Sequence, residues 1–191
     1  MPKLGMQPIR REALVRATIA EIGRIGTLDV TVAQIARRAG MSPALAHHYF
    51  GSKEQIFLAA MRHVMAIYGA EVRGALAAAT SARNRVEGIV RASFSTGSFR
   101  RDSVSAWLNF YVLAQTNPEA RRLLQVYQRR LRSNLVDALR RLLGGRAADV
   151  AGRVGAMIDG VYIREALRGD TPDGARAASE VLGYLERELA P

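Results

Sequence analysis

Residues 31–53 read TVAQIARRAGMSPALAHHYFGSK, and this stretch decides the fold. Thr31 stands where a hydroxyl can accept from a backbone N–H and start a helix. Val32, Ile35 and Ala36 follow at helical spacing, with Arg37 and Arg38 on the wet side. Gly40 stops that helix, because the turn needs a left-handed conformation that glycine adopts without steric cost. Ser42 caps the next helix, and Pro43 occupies its first position, where a missing N–H costs nothing. That second helix puts Ala46 and Phe50 on one face and Ala44, His47 and His48 on another. The layout is that of a helix-turn-helix whose second helix offers short and polar side chains to a DNA groove.

An ordinary helical hairpin would share the cap and the glycine turn. It would not choose two adjacent histidines and a tyrosine for a buried face. Thr31, Tyr49 and Lys53 also fall near helix ends, where polar groups and backbone N–H dipoles can hold phosphate. Pro43 and Leu45 flank the groove-facing Ala44, His47 and His48. A methyl such as that of Ala44 suits a thymine methyl, and imidazoles suit hydrogen-bonding base edges.

Residues 8–60 resemble the DNA-binding domain of the TetR family of bacterial one-component regulators. The motifs that carry the resemblance are TVAQIARRAGMS, the HHYF end of the recognition helix, and GSKEQIFL opening a long fourth helix. AWLNF, RRLRSNL and MIDGVYIREAL extend it over nearly the whole chain, toward the choline-responsive BetI-type branch, repressors of glycine-betaine synthesis. The resemblance implies choline as inducer and a homodimer joined through a four-helix bundle of the last helices. The alternative within the family is a regulator of another pathway, such as efflux, that senses a different hydrophobic cation.

The chain has 191 residues, 49% of them hydrophobic, which is ample for a core. It has no cysteine, so neither a disulfide framework nor thiolate chemistry is expected. Pro2, Lys3 and Gly5 argue against a signal peptide, and no stretch of about 18 uncharged apolar residues offers a membrane span. A cytoplasmic, nucleoid-associated protein is expected. The net charge of +11 favours a polyanionic partner. Residues 1–63 hold nine Lys/Arg against four Asp/Glu, a denser positive charge than in the remainder, as a DNA-binding head requires.

The periodicity predicts an all-α chain of about nine helices, with a helix-turn-helix domain over 1–55 and a ligand-sensing and dimerisation domain over 56–191. Residues 1–7 read as a loose arm, and helix one spans about 9–26 along Leu14, Thr18, Ile22 and Ile25. A long helix runs from Lys53 to about 79, and Thr80–Asn84 is a small-polar break. Further helices are expected near 83–97, 102–115, 118–144, 147–168 and 173–189. The last two carry apolar faces, Val154, Met157, Ile158 and Val161, then Val181, Leu182, Leu185 and Leu189.

In the second domain Trp107, Phe110 and Tyr111 share one helix face at i, i+3 and i+4. Tyr127 and Tyr162 come from other helices. Such stripes most often form core, but Asp159 lies in an apolar run, where a carboxylate is costly unless paired. A carboxylate ringed by aromatic faces suits a quaternary ammonium, which has no N–H to donate and is held by ring quadrupoles and a counter-charge. Trp107, Phe110, Tyr111, Tyr127 and Tyr162 are the candidate rings and Asp159 the candidate counter-charge, with Glu165 as the alternative. No enzyme is expected. His47 and His48 point about 100° apart on a helix and cannot chelate together, His63 stands alone, and no metal spacing, phosphate loop or nucleophile elbow appears. No cofactor is expected.

Overall fold

A computed structural model of the chain describes residues 6–97, 99–168 and 171–190. Among these the secondary structure is helical throughout, with nine α-helices and one short 3-10 turn. They are α1 (Met6–Ile25), α2 (Val32–Arg38), α3 (Pro43–Phe50), α4 (Lys53–Ala78), α5 (Ala82–Ser93), α6 (Arg101–Thr116), α7 (Pro118–Leu143), α8 (Ala147–Ala166) and α9 (Gly174–Leu189). The expected arm with Lys3 lies mostly outside the described residues, as do Gly169 and Asp170 of the expected linker. α5 stops at Ser93, four residues early. The Ser93 hydroxyl donates back to the Ile89 carbonyl at 3.0 Å, and the helix closes at Phe94.

The chain forms two compact units. Residues up to Val64 join Asp102–Arg121 in the first, and Met65–Arg101 joins Arg122 onward in the second. In the first, α1, α2 and α3 pack around Leu14, Ile22, Val30, Ile35, Ala36, Ala46 and Phe50, closed by Ile56 and Phe57 from α4 and Ala106 from α6. The local chemistry follows the caps. Thr31 and Gln34 form a reciprocal capping box, and Ser42 accepts from the Leu45 N–H at 3.2 Å. Gly40 has φ +67°, the left-handed conformation the turn required. α6 is tied to the end of α1. Asn109 donates to the Gly26 carbonyl at 2.9 Å and Ser105 to the Ile22 carbonyl at 3.3 Å, so terminal carbonyls of α1 find partners. Sequence spacing sees contiguous segments only, and a boundary at 55/56 does not anticipate that 102–121 joins the first unit.

In the second unit α9 packs on both α5 and α8. Val86, Ile89, Val90, Leu135, Leu139, Val154, Ile158, Val181 and Leu185 fill its core. The apolar faces of the last two helices are therefore mostly spent within one chain, since Val154, Ile158, Val181 and Leu185 are buried there. Glu165, a buried carboxylate, fastens the α8–α9 connection. It accepts from the Asp173 N–H at 3.0 Å and from the Arg176 guanidinium, with Arg168 at 3.4 Å. Burial pushes its carboxyl up, but the Asp173 N–H and the two guanidiniums outweigh burial and hold it below the usual carboxylate range.

Candidate functional site

α3 is anchored by its inner face and free on its outer one. Ala46 and Phe50 are buried, whereas Pro43, Ala44, His47 and His48 are exposed and Leu45 and Tyr49 are half-buried. The outward face expected from the sequence is thus present, with both imidazoles outside the packed interior. His47 Nδ1 lies 3.3 Å from the Gly51 carbonyl. A carbonyl only accepts, so Nδ1 donates in this contact, which leaves Nε2 for other partners. An imidazole nitrogen can hydrogen-bond a base edge in a major groove. His48 packs its ring edge-on to Tyr49, with centroids 5.5 Å apart.

The flanking residues divide by what they already do. Lys53 opens α4 and holds its ammonium 5.3 Å from the Phe57 ring centroid, half-exposed beside a helix N-terminus. The Thr31 hydroxyl accepts from the Gln34 N–H at 3.2 Å and donates to Gln34 Oε1 at 2.9 Å, so capping engages it fully. Two residues of the first turns of α1, Arg10 and Arg11, come to α3. Arg11 donates to the Tyr49 carbonyl and lays its guanidinium 4.4 Å from the Phe50 centroid, a cation at a helix C-terminus. Arg10 reaches the Tyr49 hydroxyl at 3.4 Å. These partners stand 38 and 39 residues away in sequence, beyond any local pattern.

Behind α3, Glu21 joins α1 to α2. Its side chain is only 6% exposed, bonded by Arg24 at 2.7 Å and by Arg38. The hydrogen bonds from Arg24 and then Arg38 hold its carboxyl below the usual range, against the opposing effect of burial. This ion cluster fixes the end of α2 and with it the turn that aims α3.

The six candidate effector residues fall in both units. Trp107, Phe110 and Tyr111 belong to the first and pack on one another, with Trp107 centroids 5.8 Å from Phe110 and 5.7 Å from Tyr111. Phe110 is fully buried. Tyr127, Asp159 and Tyr162 belong to the second. The Tyr127 hydroxyl donates to Asp159 Oδ1 at 3.0 Å. Tyr162 meets Phe99 perpendicularly, with centroids 4.9 Å apart. Glu165, the alternative counter-charge, is engaged in the α8–α9 junction.

Sequence reasoning passed over Tyr68, which sat in the apolar stripe of α4. Its ring meets Tyr127 edge to face at 5.5 Å, and its hydroxyl lies 3.3 Å from that of Ser93. Burial pushes its phenol up to about 12, with Asp159 and Glu71 adding to the rise, so it stays neutral. Glu71, one turn further on, accepts from the Ser95 hydroxyl at 2.5 Å. A groove of about 350 Å³ runs between α4 and α7, with Tyr68 and Tyr127 in its wall. Two ring faces with carboxylates behind them can meet a cation that donates no hydrogen bond, and Arg73 and Arg130 line the same groove.

Comparison with known proteins places this geometry. Residues 14–60 match the family described as bacterial regulatory proteins, tetR family, and residues 82–190 match the BetI-type transcriptional repressor C-terminal family. The chain is 49% identical to the HTH-type transcriptional regulator BetI of Brucella anthropi over 190 residues, covering 99% of this chain and 98% of that one. It is 50% identical to BetI of Rhizobium meliloti over 169 residues, covering 88% and 83%. Among solved structures, a TetR transcription regulator from Haloarcula marismortui superposes with a TM-score of 0.85 at 18% identity over 94% of this chain and 98% of that one. A transcriptional regulator from Saccharomonospora viridis in complex with choline superposes at 0.78 with 23% identity over 92% and 95%. With an outward-facing helix-turn-helix and full-length likeness to these repressors, the chain belongs to the TetR family of bacterial transcriptional regulators, in its BetI-type branch, and not to an enzyme family.

Proposed function

We propose that two copies of this chain bind a palindromic operator in the cytoplasm and repress genes of glycine-betaine synthesis until choline, or a related quaternary ammonium, releases them. The observation that carries the reading is the outer face of α3, exposed along Pro43, Ala44, His47 and His48 while its inner face is locked. Ala44 meets a thymine methyl, His47 bonds a base edge and His48 a neighbouring one, with Pro43 and Leu45 beside them. Tyr49 and Lys53 hold phosphate, and the exposed N–H groups at the Thr31 end of α2 assist.

One helix-turn-helix contacts few bases, and a two-fold protein matches two half-sites. The outward side of α8 supports a dimer. Gly152, Ala156 and Gly160 are exposed at spacings of four, and a Cβ on either glycine would meet nothing within 4 Å. A bare helix costs about 1 kcal/mol per glycine relative to alanine, and close approach of a second helix offsets this. Leu167, 68% exposed, lies just past the end of α8.

The quaternary ammonium sits on Tyr68 and Tyr127 with Asp159 as counter-charge and Tyr162 nearby. The choline-bound regulator from Saccharomonospora viridis and the BetI relatives support that ligand. The ligand acts because it binds the released conformation better than the DNA-bound one. Trp107, Phe110 and Tyr111, the ring cluster of the first unit, belong to the proposal as rings that respond to choline. Choline should change the emission of Trp107, the chain's single tryptophan, and emission indifferent to saturating choline removes the α6 rings from the proposal.

A mobility-shift assay on DNA upstream of neighbouring genes tests the whole. Binding without choline and release with it are expected. Asp159→Asn keeps an acceptor for Tyr127, so it should bind operator normally and need at least about tenfold more choline for release. Unaltered choline sensitivity in that variant removes Asp159 from the site.

A further inference from the structure

The groove between α4 and α7 holds more chemistry than a plain cation uses. Its two walls run the same way. Tyr68 opposes Tyr127, and Arg85, in the first turn of α5 that follows the end of α4, pairs at 2.9 Å with Asp137, ten residues beyond Tyr127 on α7. Arg73 and Arg130, which both line the groove, therefore lie on the same side of the ring pair. Arg130 is three residues beyond Tyr127 and Arg73 five beyond Tyr68, so the backbone positions that carry them lie roughly 5–8 Å further along the helices. Asn134 completes that end.

The cationic end is not engaged elsewhere. Among the described residues Arg73 and Arg130 have neither an ion pair nor a hydrogen-bonded partner, and no carboxylate lines the groove. Gly69 adds to the shape. A Cβ there would stand 3.2 Å from Arg73 Nη1, so its absence leaves room for the Arg73 guanidinium to fold back along α4. Two unpaired guanidiniums would repel a lone cation approaching the rings. They would attract a ligand that carries its own anion within a short reach of its ammonium.

We infer that this groove binds short zwitterions, with a trimethylammonium on Tyr68 and Tyr127 and a carboxylate or phosphate on Arg73 and Arg130. The inference rests on the ammonium reading above and extends it to a second ligand class. Oxidation of the choline alcohol to a carboxylate leaves the ammonium intact and creates such a zwitterion. The regulator thus meets both the substrate and the product of that class of oxidation in one groove, and the product competes with choline.

Calorimetric titration of the full chain with choline, glycine betaine, phosphocholine and hexanoate tests this. Choline, glycine betaine and phosphocholine should bind the wild type, and hexanoate, which lacks the ammonium, should bind at least tenfold more weakly. Arg73→Gln combined with Arg130→Gln should weaken glycine betaine and phosphocholine at least tenfold and leave choline unchanged or tighter. Choline binding without either zwitterion overturns this inference and leaves the ammonium reading standing, whereas failure of choline itself overturns both. Equal losses for choline and the zwitterions in the double variant, or hexanoate as tight as glycine betaine, also overturn it.

Discussion

Replacing Glu21 by Gln removes one charge from the cluster that aims the recognition helix. The carboxylate is 6% exposed, and its partners Arg24 and Arg38 are 54% and 41% exposed. Removing one member of a fully buried pair costs about 3–5 kcal/mol, and an exposed pair is worth about 0.2–1 kcal/mol. With one partner buried and two half in water, Glu21→Gln should cost about 1.5–2.5 kcal/mol. For a chain of 191 residues that lowers Tm by about 3–10 °C. The folded carboxyl lies below its ordinary 4.5. Its stabilisation is therefore fully present above about 4.5 and lost as pH falls through the folded value. Thermal scans of wild type and variant should differ by this amount at pH 7 and converge at acid pH. Adding Arg38→Gln to the variant should cost little more, because the two act as one unit. Equal stability at pH 7, or a gap that persists unchanged into acid, refutes the assignment of Glu21 as the tie between α1 and α2.

Two further perturbations separate roles on the same principles. Lys53→Ala should weaken binding to all DNA and reduce the slope of log K against log salt by about one per half-site, while His47→Ala should lose about 1–3 kcal/mol of discrimination at one base position and keep the slope. Identical behaviour of the two variants contradicts the division between phosphate and base contacts. Glu165→Gln should loosen the α8–α9 junction by about 1–2 kcal/mol, seen as a lower Tm at pH 7. Its carboxyl also lies below the ordinary value, so this loss too should fade as pH falls below about 4.5.

The reading head was legible because its determinants are local. Thr31, Gly40, Ser42 and Pro43 each specify a cap or a turn within three or four residues, and the structure realises each one. The polar outer face of α3 follows from the 3.6-residue period and survives as exposure. What escaped depends on distant pairing. Nothing near residue 11 announces that Arg11 will cap α3, and nothing near residue 105 that α6 will satisfy carbonyls of α1. Among carboxylates in apolar runs, sequence did not separate Asp159, bonded to a tyrosine, from Glu165, clamped between arginines. Tyr68 was hidden by its own regularity, since a ring on an apolar stripe reads as core until its neighbours are known. Periodicity reports the apolar faces of α8 and α9 but not what covers them, and in one chain Val154, Ile158, Val181 and Leu185 are buried.

The central claim is that the outer faces of two α3 helices read one piece of DNA and that the body withdraws them. A hydroxyl-radical footprint of the chain on the DNA it binds tests this most directly. The account predicts two protected patches, related by a dyad and centred one or more helical turns of about 10 base pairs apart, that vanish together when choline is added. One patch without a symmetry mate, or two that persist at saturating choline, would contradict it.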